Sequence, residues 1–163
     1  MADLFRMRDF PVREDIIPHR EMDSKDSLGA YASPIPATVL VVDDDESVRE
    51  LMAQVLESDG HRVIRARHSR DALILAGEYS GIIHLLLTDI RMDPFPDGFT
   101  LARALQGERP GIRVLYASGF VDQNQLQNEL AVSSARFLAK PFSPTTLAAT
   151  VRGLLTQPAS IPA

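Results

Sequence analysis

Five short runs of apolar and β-branched residues punctuate this chain of 163 residues, and a segment with helical spacing of apolar residues follows each run. The runs occupy residues 38–42, 61–66, 82–89, 112–117 and 136–139. Strands that alternate with helices predict a parallel sheet covered by helices on both faces. Because crossovers between parallel strands are right-handed, the order predicts a doubly wound α/β fold.

Apolar residues spaced three and four apart predict five helices. We expect them near residues 48–59, 70–78, 99–107, 121–132 and 144–155. Ser47 with Glu50 predicts a capping box, Ser69 and Ser143 are expected to cap the second and fifth helices, and Gly60 to end the first. The expected apolar face of the first helix consists of Val48, Leu51, Met52, Val55 and Leu56.

The two ends of the chain differ from this regular part. Residues 1–37 mix charges without a period and contain several prolines, so we expect a disordered or linker extension there. The folded domain is expected over residues 38–156, with a short free tail over 157–163. That tail is too short for a further domain, so no fused output domain is expected.

Composition excludes several classes of function. The formal net charge of -5 argues against direct DNA binding, which favours basic surfaces. The absence of cysteine excludes disulfides and thiol nucleophiles. Without an apolar amino terminus or an apolar run of roughly 20 residues, neither a secretory signal nor a membrane segment is expected. A cytoplasmic protein is the prediction.

Polar and charged residues follow four of the five predicted strands. Because the carboxyl ends of parallel strands share one edge of the sheet, these residues are expected to converge. They are Asp43, Asp44, Asp45, Asp89, Ser118 and Lys140. Carboxylates packed together favour a cation such as Mg²⁺, and a lysine with a hydroxyl suits phosphoryl oxygens. The set predicts binding or transfer of a phosphoryl group.

Four motifs carry a resemblance to a known family. They are VVDDD at residues 41–45, LLLTDIRM at 85–92, LYASGF at 115–120 and FLAKPF at 137–142. With them, residues 38–155 resemble a response-regulator receiver domain of two-component signalling, like the chemotaxis receiver. The resemblance implies a flavodoxin-like, five-stranded parallel sheet with strand order 2-1-3-4-5.

The resemblance also implies roles for the acidic residues. Asp89 is similar to the phosphoacceptor, which takes a phosphoryl group from a sensor histidine kinase or a histidine phosphotransfer protein. Asp44 and Asp89 would bind Mg²⁺ directly, Asp43 mainly through water, and Arg91 through its backbone carbonyl. Asp45 is expected to be only a charge at the start of a helix.

Four further residues match the family's switch elements. Ser118 and Lys140 would bind the phosphoryl group, and Phe137 occupies the aromatic switch position. The Lys140–Pro141 bond is expected to be cis. Phosphorylation would then change the face made by the fourth helix, fifth strand and fifth helix, which would bind a downstream protein or support a phosphorylation-dependent homodimer.

The chain also departs from the family pattern. Its loop at residues 92–98 is one residue longer and contains two prolines. Arg91 and Phe120 occupy positions that tune how long the phosphoryl group lasts, and two readings stay open: bulky groups shield it from water, or Arg91 stabilises it. The Ser-Gly-Phe sequence at 118–120 resembles receivers attached to hybrid sensor kinases.

Two other functions are compatible with parts of this pattern. A receiver-like scaffold would act without phosphorylation. A phosphatase of the haloacid dehalogenase type needs a second aspartate two residues after the first, where this chain has Arg91, so an enzyme is not expected beyond self-assisted phosphorylation and dephosphorylation. The histidines lack metal-ligand spacing and are expected to be structural or on the surface; they are His19, His61, His68 and His84.

Overall fold

The computed structural model describes residues 36–157, in which five strands alternate with five helices. The strands are β1 (Thr38–Val42), β2 (Arg62–Ala66), β3 (Leu85–Thr88), β4 (Arg113–Ser118) and β5 (Arg136–Ala139). The helices are α1 (Glu46–Ser58), α2 (Ser69–Glu78), α3 (Gly98–Glu108), α4 (Gln123–Val132) and α5 (Pro144–Thr156). The predictions for residues 1–35, including His19, and for 158–163 lie outside this range.

The sheet has the expected topology. All strands are parallel, in the order β2-β1-β3-β4-β5. The predicted third strand was too long, because pairing begins at Leu85 and the preceding apolar residues form a loop. None of the helices between residues 36 and 157 combines the length and apolarity needed to cross a bilayer.

The central strand β1 is buried along its whole length, which explains its continuous apolar sequence. Val39 and Val41 face one core, which includes residues of α1 and α5. Leu40 and Val42 face the other, which includes residues of α2, α3 and α4. The alternation follows from the two-residue period of a strand.

The first helix starts differently from the predicted capping box. Asp45 is the N-cap, and its Oδ1 accepts the backbone N–H groups of Ser47 (2.8 Å) and Val48 (3.2 Å). An aspartate at this position satisfies two free N–H groups at once and adds a favourable charge at the positive end of the helix. The capping prediction for Ser47 was therefore wrong.

The second helix is capped by His68 rather than by Ser69. The imidazole Nδ1 of His68 accepts the backbone N–H of Asp71 at 3.2 Å. The predicted cap of α5 is confirmed, since the Ser143 hydroxyl accepts the N–H of Thr146 at 3.0 Å.

Two histidines hold the start of the central strand. His61 Nδ1 accepts the N–H of Ala37 at 3.3 Å, and His84 Nδ1 accepts the N–H of Thr38 at 3.0 Å. Each histidine directly precedes a neighbouring strand, β2 on one side and β3 on the other. The imidazoles therefore accept two backbone N–H groups at the start of β1, which is a structural role.

The sharp turn between α1 and β2 needs a glycine. Gly60 adopts a positive φ of 87°, a conformation that residues with a side chain rarely adopt. Directly after it, His61 is buried, and this burial lowers the pKa of its imidazole. The predicted end of the first helix at Gly60 is thus confirmed.

Candidate functional site

The carboxyl edge of the sheet brings together three of the predicted residues. Lys140 Nζ donates to Asp43 Oδ2 at 2.6 Å and to Asp89 Oδ2 at 3.0 Å. Asp43 follows β1, Asp89 follows β3 and Lys140 follows β5. The ammonium therefore ties three strand ends together, as expected from their shared position at the edge.

The carboxylates form a cluster that could hold a cation. One carboxylate oxygen each from Asp43, Asp44 and Asp89 lies within 4.8 Å of the others. Asp43 is fully buried, Asp89 is half-buried and Asp44 is exposed. A set made only of carboxylate oxygens and open to solvent on one side fits Mg²⁺, which binds one or two carboxylates and keeps waters and phosphate oxygens.

Burial and charge set the protonation of this cluster. Burial raises the pKa of the Asp43 carboxyl above its ordinary value, although Lys140 counteracts this. Burial also lowers the pKa of the Lys140 ammonium, but the hydrogen bonds and charges of Asp43 and Asp89 more than offset it, so the pKa is raised overall. Lys140 therefore remains a cation at neutral pH, available to an anionic group.

The carboxylate of Asp89 is oriented by its own backbone surroundings. Its Oδ1 accepts the N–H of Ile90 at 2.6 Å and that of Arg91 at 3.3 Å, while Oδ2 faces the lysine. The backbone carbonyl of Asp89 accepts from Thr88 Oγ1 at 2.8 Å, and its N–H donates to Val42 at 2.9 Å. These contacts leave the side chain little freedom.

Gly98 lies in close contact with the backbone of Asp89. A Cβ atom added at Gly98 would lie 2.2 Å from the Asp89 carbonyl oxygen, so only glycine fits there. The N–H of Gly98 also donates to the carbonyl of Ile90 at 2.8 Å. Sequence reasoning did not assign this role, although the Asp97-Gly98 pair at the end of the loop was the available signal.

A buried arginine also escaped the prediction. Arg49 Nη1 donates to the backbone carbonyl of Asp43 at 2.8 Å, which fixes the turn that presents the acids. The buried residues of α1 are Arg49, Met52, Ala53 and Leu56. Leu51, expected on the apolar face, is 44% exposed. The spacing of the buried residues could have revealed this face of α1. It was overlooked because the first of them, Arg49, is charged.

Ser118 lies beside the lysine but is engaged elsewhere. Its carbonyl accepts the N–H of Lys140 at 3.0 Å, whereas its hydroxyl donates to the carbonyl of Phe120 at 3.1 Å. Phe120 is 73% exposed, and the guanidinium carbon of Arg91 lies 5.7 Å from its ring centroid. The two residues thus form a cation–π contact between the loops after β3 and β4.

The structure also locates the predicted aromatic residue and two cis bonds. Phe137 is half-buried, packs against the core shared with α2, α3 and α4, and is opposite Tyr116 in the sheet. The Lys140–Pro141 bond is cis, as expected. The Asp93–Pro94 bond is also cis, which the sequence did not predict.

Comparisons with known proteins agree with this geometry. The family model described as response regulator receiver domain matches residues 39–152. The sensor kinase CckA of Brucella abortus is 36% identical over 119 residues, which cover 73% of this chain and 12% of the kinase. The transcriptional regulatory protein FixJ of Azorhizobium caulinodans is 32% identical over 122 residues, 75% of this chain and 56% of the regulator.

Solved structures lead to the same family. The receiver domain of the hybrid histidine kinase CckA has a TM-score of 0.63 at 32% identity and covers 74% of this chain and 100% of that domain. The chemotaxis protein CheY4 of Vibrio cholerae has a TM-score of 0.66 at 28% identity, covering 74% of this chain and 99% of CheY4. The chain therefore belongs to the response regulator receiver domains of two-component signalling.

Proposed function

We propose that this domain is a phosphorylatable switch in which Asp89 accepts a phosphoryl group from a histidine kinase or a histidine phosphotransfer protein. The observation that supports this most is Lys140, which bridges Asp43 and Asp89 beside the exposed Asp44. A fixed cation next to a half-buried carboxylate suits a reaction in which negative charge gathers on that carboxylate.

The proposed step is a transfer between two nucleophiles. An oxygen of the Asp89 carboxylate attacks the phosphorus of a phosphohistidine, the P–N bond breaks, and the departing imidazole keeps the electron pair. The hydrogen bonds from Ile90 and Arg91 to Oδ1 orient the carboxylate for this attack. Lys140 then exchanges its contact with a carboxylate oxygen for one with a phosphoryl oxygen.

Asp43, Asp44, Asp89 and the backbone carbonyl of Arg91 are the groups that would hold Mg²⁺. When bound, the metal would neutralise charge on the phosphoryl oxygens as they approach the acids. Asp44 is proposed as a direct ligand because it is exposed at the cluster. Asp43 already accepts from Lys140 and from the Asp45 N–H at 3.0 Å, which supports a role mediated by water.

Phosphorylation would add about 1.5 to 2 negative charges at Asp89. Ser118 is proposed to leave the Phe120 carbonyl for the phosphoryl group, and Phe137 to move inward with it. Lys140 lies between β5 and α5, so the change would reach the face made by α4, β5 and α5. That face is the proposed docking site for a downstream protein or for a second copy.

The side chains of Arg91 and Phe120 are proposed to set the lifetime of the phosphoryl group. Their cation–π contact joins the two loops that flank Ser118 and Asp89, which favours shielding from water over direct stabilisation by the guanidinium. The relatives also suggest a setting, because the similar kinase CckA is a hybrid histidine kinase. A phosphorelay through a phosphotransfer protein is the proposed context.

Incubation with Mg²⁺ and a small phosphodonor such as acetyl phosphate tests the proposal. We expect one acid-stable, base-labile phosphoryl group per chain in the wild type and none in Asp89→Asn. Asp45→Asn is the matched control, because asparagine caps a helix as well as aspartate does, and it should be labelled normally.

The absence of label from both acetyl phosphate and phosphohistidine donors would refute the switch. Repeated turnover of phosphomonoesters by the wild type would instead favour an aspartate-nucleophile phosphatase.

A further inference from the structure

The longer loop between β3 and α3 is restrained at both its base and its tip. At the base, the Gly98 N–H donates to Ile90 at 2.8 Å. At the tip, the N–H of Phe95 donates to Met92 at 2.8 Å, and the ring of Phe95 stacks on His68 with centroids 3.7 Å apart and planes 23° apart. The loop is therefore tied to the start of α2 through one aromatic contact.

His68 is a fixed platform for this contact. Its Nδ1 accepts the N–H of Asp71, so the imidazole that caps α2 has a set orientation. Its Nε2 lies 3.6 Å from the Asp71 carboxylate, and the side chain is largely covered. An imidazole held through Nδ1 and largely covered keeps a set position for the aromatic ring stacked on it.

We infer that Phe95 is a positioning residue for Asp89, acting through its stack on His68. The same loop begins with the Ile90 and Arg91 amides that bond Asp89 Oδ1, so movement of the tip changes how they hold the carboxylate. This inference rests on the proposed Mg²⁺ and phosphoryl site. It gives the loop's bulky, proline-flanked sequence a role in preparing that site.

The expected effect is moderate and specific. An aromatic pair of this kind contributes enough free energy to change an equilibrium about threefold to tenfold. Without the stack, the loop must be ordered when the cation binds, so affinity for Mg²⁺ falls by that factor. Because the stack is present in the folded chain without a cation, its loss should also lower the folding equilibrium constant, by no more than about the same factor.

Calorimetric titration of the full chain with Mg²⁺ tests this. Phe95→Ala and His68→Asn should each weaken binding about threefold to tenfold, while Phe95→Tyr should bind like the wild type. Asparagine at 68 keeps a cap for α2, which isolates loss of the stack. Ile82→Ala, which removes an exposed apolar side chain, is the control and should leave affinity unchanged.

The double variant Phe95→Ala with His68→Asn should bind Mg²⁺ no more weakly than either single variant, because both remove one contact. Additive losses, or wild-type affinity in Phe95→Ala, would overturn the inference and leave the proposed function intact. Failure of the wild type to bind Mg²⁺ would overturn both.

Discussion

Replacing Gly98 with alanine should disrupt the site and the fold together. The added Cβ would lie 2.2 Å from the Asp89 carbonyl oxygen, whereas ordinary contacts begin at 3.4 Å, so the backbone must move by more than about 1 Å. Overpacking against rigid backbone usually costs about 1–3 kcal/mol, and this contact belongs at the upper end because no flexible side chain can yield. We therefore expect a loss of about 3 kcal/mol in the free energy of unfolding.

Urea denaturation followed by circular dichroism measures this loss. With a slope of roughly 2 kcal/mol per M, the midpoint should fall by about 1.5 M. The folded fraction should also bind Mg²⁺ more weakly, since the backbone of Asp89 is displaced.

Gly107→Ala is the matched control for Gly98→Ala. Gly107 lies in the same helix, α3, and an added Cβ there meets nothing within 4 Å. Helix propensity favours alanine by up to about 1 kcal/mol, so this variant should be as stable as the wild type or more so. If Gly98→Ala unfolds at the same urea concentration as the wild type, the argument from close contact is wrong.

Two further predictions concern the cation and pH. Mg²⁺ at one hundred times its dissociation constant should raise the free energy of unfolding by about 2.7 kcal/mol; Asp44→Asn should abolish most of this gain in urea titrations, whereas Asp45→Asn should keep it. Burial lowers the pKa of His61 in the folded chain. As the pH falls, the imidazole is therefore protonated in the unfolded chain before it is protonated in the folded chain. The contribution of neutral His61 to the free energy of unfolding should therefore be complete above about pH 6.5, the ordinary pKa of histidine. It should fall as the pH drops below this value toward the lower pKa of His61 in the folded chain. In urea titrations from about pH 8 to pH 5, His61→Asn should flatten this pH dependence of the free energy of unfolding; an unchanged slope would show that His61 does not set it.

The grouping of residues at the strand ends was predictable because a parallel sheet places the ends of strands that are far apart in sequence at one edge. The apolar run before Asp43, the one before Asp89 and the short one before Lys140 were enough to place these residues at one edge. The strand order came instead from the resemblance to a family. Apolar patterning therefore located the strands, whereas their order in the sheet needed the family motifs.

What escaped prediction depends on contacts between side chains and backbone that patterning does not encode. Arg49 is charged and therefore did not count toward an apolar face, yet it is buried against the Asp43 carbonyl. His68 caps α2 although serine is the commoner cap and Ser69 follows directly. Phe95 could not be paired with His68, because nothing in either local sequence specifies the other.

The histidines at the start of β1 have a consequence for how the sheet assembles. The N–H groups of Ala37 and Thr38 donate to imidazoles that lie 24 and 46 residues later in the chain. The hydrogen bonds at the start of the central strand therefore cannot both form until the two neighbouring strands have docked. Since contacts of long sequence separation form slowly, this end of β1 should be among the last parts of the sheet to gain protection from hydrogen exchange during refolding.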